Sequence, residues 1–96
     1  MPGTRVAAEN RAVFARLVDG DGVIVDTQTA FYFGLNKTGA FLWEHIQKTG
    51  GATAEELSRA LCERFEVEPE AADRDAREFI DRLVQHGLAS MPVDER

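Results

Sequence analysis

Cysteine is nearly absent from this chain. Cys62 is the single one among 96 residues, so no internal disulfide can form. Beside Leu61 in a helical pattern, it reads as a small, semi-buried side chain. Histidine is scarce too. His45 and His86 lie far apart in sequence, and no Cys-His or His-carboxylate group has metal-ligand spacing. Each is expected on a helix surface. No apolar run approaches the ~18 residues of a membrane span. The segment MPGTRVAAENR lacks the apolar core of a signal peptide, so a cytoplasmic location is expected. Basic residues are the minority, 11 against 17 acidic, for a net charge of −6. That leaves little material for the basic face of a nucleic-acid binder. The Gly20 and Gly22 turn is not followed by the helix and Lys of a phosphate loop. No nucleophile-base pair stands out. No catalytic residue, cofactor or metal is expected, and the chain does not read as an enzyme.

What the chain does have is concentrated in Phe31 to Ile46, FYFGLNKTGAFLWEHI. Phe31-Tyr32-Phe33 is a run of strand-favouring aromatics. Gly34 ends it, and Asn36 is a good N-cap for a helix carrying Leu42, Trp43 and Ile46. A strand running straight into a helix fixes the angle between them. It also leaves a small sheet with one free edge beside helices, an arrangement suited to capturing an extended peptide.

Upstream, residues 1–10 are polar with Pro2 and Gly3 and read as a loose arm. AVFARLV follows with partial alternation and meets Asp19-Gly20-Asp21-Gly22, a doubled hairpin signal. Val23-Ile24-Val25 is the return strand. Asp26 to Thr29 is a second turn, and Ala30 to Gly34 is the third strand of a meander, at its edge. Three helices come next. The first spans about Lys37 to Lys48 and is closed by Gly50-Gly51. The second opens at Thr53-Ala54-Glu55-Glu56, a capping box, and carries Leu57, Leu61 and Phe65 on one face. The third runs from about Glu70 to His86 with a wide apolar stripe. Gly87 and Leu88 fit the end of a Schellman motif. Strands first and helices after argue an α+β fold, a three-stranded antiparallel sheet followed by a three-helix bundle. Residues 11–90 form the domain and 91–96 a tail. A chain this short should hold only roughly 5–10 kcal/mol of stability.

In register, Tyr32, Phe33, Gly34, Leu35, Asn36, Thr38, Gly39, Trp43, Thr53, Glu56, Leu57, Phe65, Val67, Pro69, Asp75, Phe79, Leu83, Gly87 and Leu88 make a pattern that resembles the PqqD family. This family is named for pyrroloquinoline quinone biosynthesis protein D, and the likeness covers about residues 12–90. The resemblance implies a winged-helix-like domain without chemistry of its own. Family members recognise ribosomally made, post-translationally modified precursor peptides. The leader segment docks as an extra strand on the third strand and lies against the third helix. The domain hands it to a partner such as a leader peptidase, a cyclase or a radical SAM enzyme. Asp26-Thr27-Gln28-Thr29 and the Asn36 helix start depart from the pyrroloquinoline quinone subgroup. They favour a stand-alone member of another pathway, such as lasso peptide biosynthesis.

The expected peptide-binding residues are Ala30, Phe31, Tyr32 and Phe33 on the strand, with Ala76, Ile80 and Val84 lining the third helix and Arg77 and Asp81 at the rim. Phe33 and Leu35 are expected to enter the core. The Phe79 and Leu83 line is expected to face the other helices. Three other readings compete: PqqD proper, a winged-helix DNA-binding regulator, and a subunit that forms a homodimer through the Phe31 edge strand. Neither a nucleic acid nor a membrane is an expected partner.

Overall fold

The computed structural model describes residues 5–91. Its order is β1 (Ala7–Ala8), β2 (Ala12–Arg16), β3 (Gly22–Asp26), β4 (Phe31–Leu35), α1 (Lys37–Thr49), α2 (Ala54–Arg64), α3 (Pro69–Gln85) and β5 (Ala89–Ser90). The antiparallel meander β2-β3-β4 is present, with β4 at an edge. It turns one face to the helices through Ala12, Ile24, Phe33 and Leu35, all buried. The outer face carries Val13, Ala15, Val23, Val25 and Tyr32 at half-buried or exposed positions.

Helix boundaries fall within a residue or two of those expected, because the caps act locally. The Asn36 side chain accepts from the Gly39 amide at 2.8 Å. Thr53 and Glu56 close the capping box in both directions. At the end of α3, Gly87 takes φ 72°, and the Gly87 and Leu88 amides donate to Val84 and Leu83 carbonyls. That is the Schellman pattern, and it drops Leu88 into the core. Thr53→Ala removes one half of the capping box and should cost about 1 kcal/mol in a urea melt.

The loose arm expected over residues 1–10 is corrected from Arg5 onward; residues 1–4 lie outside the described residues. Val6 is fully buried and exchanges backbone hydrogen bonds with Ala52. Ala7–Ala8 pairs with Ala89–Ser90, tying the segment before the meander to the segment after α3. Two residues are too short to show a strand periodicity, so only the long-range pairing reveals them. Of the expected tail, only Met91 is described.

Arg11 ties this end piece to the meander. Its guanidinium donates to the Asp26 carboxylate at 3.2 Å and to the Gly87 carbonyl at 2.6 Å. Asp26 also accepts from the Gln28 and Thr29 amides in the β3–β4 turn. Burial pushes the Asp26 carboxyl up, but the Gln28 amide, Arg11 and the Thr29 amide together hold it below its ordinary value of 3.8. A carboxyl depressed by folding stabilises above its unfolded value, and that stability is lost as pH falls through the folded one. The stability gap between the wild type and Asp26→Asn should therefore be open at pH 6 and close below about pH 4. Thermal melts across that range read it.

Candidate functional site: the free edge of β4 and the facing side of α3

The register fixes which backbone groups of β4 are free. Leu17 donates to Asp21 and Thr27 donates to Arg11, so the odd residues of β3 bond toward β2. In an antiparallel ladder the alternate residues bond the other way. Gly22, Ile24 and Asp26 therefore bond toward β4, where their partners are Leu35, Phe33 and Phe31. The N–H and C=O groups of Tyr32 and Gly34 consequently point outward from the sheet, along an edge with no strand paired to it among the described residues. Such a row is a template for an added strand.

Side chains flank this edge on both faces. Tyr32 stands on the outer face, 69% exposed, and an added Cβ at Gly34 would meet nothing within 4 Å. On the inner face Phe33 is 7% exposed and Phe31 39%. Leu35 is buried as expected. Ala30 does not belong to the strand. It sits in the turn with φ 61°, and its amide closes the hairpin on the Asp26 carbonyl.

The side of α3 that meets β4 differs from the one expected. His86 stacks on Phe31 with centroids 5.0 Å apart and tilts against Phe33 at 5.3 Å. The Arg82 guanidinium lies 5.4 Å from the Phe33 ring centre. Arg82 also borders a hollow that Phe79, Glu78 and Asp75, one and two turns earlier, line with Asn36, Thr38, Gly39 and Leu42 at the start of α1. Asp75, Phe79, Arg82 and His86 recur at helical spacing and form one line along α3.

The α3 residues expected at the groove lie elsewhere. Ala76 is fully buried. Arg77, Ile80 and Asp81 line a separate hollow with Thr53, Ala54 and Glu55 at the start of α2 and with Met91. Val84 is half-buried and lies one turn beyond Ile80 on that same side of the helix. Arg77 is paired with Asp73 at 3.0 Å, and that hydrogen bond raises its pKa. The start of α2 takes the Ile80 side, where Thr53, Ala54 and Glu55 border the hollow that Ile80 lines. The expectation took the apolar line adjacent to Phe79 and Leu83. The line beside β4 mixes acids, Arg and His, and reads in sequence as an ordinary solvated face. Its one available signal was the same helical spacing applied to polar residues.

Among the described residues, no group of three or more His, Cys, Asp and Glu residues could hold a metal ion. No helix is long and apolar enough to cross a membrane.

The chain is similar in structure to the protein of "TbiB1 in Complex with the TbiA(beta) Leader Peptide", with a TM-score of 0.77 and 27% identity, over 92% of this chain and 99% of that one. It also shares its fold with the protein of "Lasso peptide synthetase B1 complexed with the leader peptide", with a TM-score of 0.74 and 22% identity, over 88% and 96%. No curated protein sequence matches it. The family model described as "Coenzyme PQQ synthesis protein D (PqqD)" matches residues 21–89, a span from the β2–β3 turn past the end of α3 to the first residue of β5. With that match over most of its length, and with the meander, the capped helices and the Gly87-Leu88 ending all in place, this chain belongs to the PqqD family.

Proposed function

We propose that this domain binds the leader segment of a ribosomally synthesised precursor peptide as a fourth strand on β4 and presents it to a modifying enzyme or leader peptidase. It performs no chemistry itself. The observation that carries this reading is the free edge of β4: the outward amides and carbonyls of Tyr32 and Gly34, beside the Phe31–His86–Phe33 cluster that joins β4 to the end of α3. Backbone bonds along the edge give affinity for any extended peptide, and flanking side chains select among them. The two similar structures are, by their descriptions, complexes with leader peptides, and one is a lasso peptide synthetase B1. They favour a lasso-type pathway for this chain over pyrroloquinoline quinone synthesis.

A leader strand of about ten residues would bury ~600 Å² per partner, near the lower end of stable interfaces, which suits a handover rather than a permanent complex. Titrating the cognate leader into isotopically labelled protein should move the amides of Tyr32, Phe33 and Gly34 together with those of Arg82 and His86. Shifts confined to α1 and α2 would remove the groove assignment. A DNA-binding role would instead require retention on DNA that weakens steeply with salt. The net charge of −6 opposes it.

A further inference from the structure

The groove between β4 and α3 is electrically polarised along its length. At the Leu35 end, Asp75 and Glu78 face the start of α1 across the hollow lined by Asn36, Thr38 and Gly39. At the Phe31 end His86 stacks on Phe31, while Arg82 lies between the two ends, over Phe33 and bordering the same hollow as the acids. Arg82 does not pair with these acids. Arg82 and Glu78 are one turn apart, the spacing of a helical ion pair. Yet Arg82 lies over Phe33, and no ion pair joins it to Glu78 among the described residues. Asp75 reaches only its chain neighbour Arg74, at 3.9 Å. Both acids are exposed, so their charge is available to a ligand in the groove.

We infer that the groove selects leader strands by charge order. A basic side chain sits beside Asp75 and Glu78, and an apolar or acidic one sits beside Phe31, His86 and Arg82. The inference rests on the proposed strand addition. Side chains of an added strand alternate between faces, so those reaching α3 are an even number of positions apart. Phe31 and Leu35 are separated by four residues, ~13 Å of strand. The basic and the apolar or acidic positions of the leader should therefore lie about four residues apart. The acidic chain as a whole also favours a basic ligand.

The experiment selects a displayed library of random peptides on the immobilised protein, with no knowledge of the natural precursor. The wild type should enrich peptides with Lys or Arg at an even spacing from an apolar or acidic residue. The double reversal Asp75→Lys with Glu78→Lys should lose the basic preference, and individual wild-type hits should bind it about fivefold to tenfold more weakly at low salt. Arg77→Glu reverses a charge on the far side of α3 and should leave the selection unchanged. The same basic preference on the double reversal, or no charge preference on the wild type, would overturn the charge code. In that case hits that still fail on Tyr32→Pro keep the β4 docking itself intact. Hits that bind Tyr32→Pro as well as the wild type, or no enrichment at all, would instead count against strand addition on β4.

Discussion

Trp43→Ala should leave this domain unfolded or nearly so. Trp43 is fully buried in α1, within one core with Ile24, Leu42, Ile46, Leu57, Leu61 and Leu83. Truncating a buried large aromatic costs about 3–5 kcal/mol, because transfer energy is lost and a cavity is left. A domain of this size holds roughly 5–10 kcal/mol in total, so one residue carries a large share of it. The loss should show as weakened helical circular dichroism and a collapsed urea transition. Trp43→Phe keeps most of the buried ring and should cost far less. The indole N–H it removes has no protein acceptor among the described residues. A well-folded Trp43→Ala protein that had lost only peptide affinity would show that Trp43 belongs to the binding site and not to the core.

Proline at neighbouring positions of β4 should separate binding from folding. Proline has no N–H to donate and its ring blocks the side where that group would lie. The Tyr32 N–H points away from the sheet, so Tyr32→Pro should fold and bind a leader at least about tenfold more weakly, a loss of ~1.4 kcal/mol. The Phe31 N–H points to β3, opposite Asp26, so Phe31→Pro strikes the fold first. A lost ladder hydrogen bond of about 1 kcal/mol should lower its melting temperature by about 4–8 °C. Isothermal titration on the folded variant and melting curves on both decide it. Wild-type affinity in a folded Tyr32→Pro protein would mean that the peptide does not use the edge of β4.

The contrast between these two residues was not available from the sequence. The run Phe31-Tyr32-Phe33 announces a strand, and its alternation announces which side chains enter the core. The outward direction of its amides depends on which β3 residues already bond to β2. That is set by the register of a hairpin, and the register follows from contacts between residues 11–17 and 21–27.

The sequence by itself determined the three meander strands, the three helices and their order, because those signals are local. Asn36, Thr53 and Gly87 act within four residues of themselves, so each cap could be read directly. The edge position of β4 followed from the meander and the lack of any later strand pattern. The PqqD pattern was legible for the same reason, since it is built from caps, turns and the aromatic strand. Only the tertiary structure decided which side of α3 meets β4. The apolar stripe on α3 is wider than one contact line, and two neighbours compete for it. The start of α2 takes the Ile80 side and the start of α1 takes Phe79, leaving Arg82 and His86 to the sheet. The burial of Val6 was likewise decided at long range, by its pairing with Ala52. Periodicity records how much of a helix is covered, and only packing records by what.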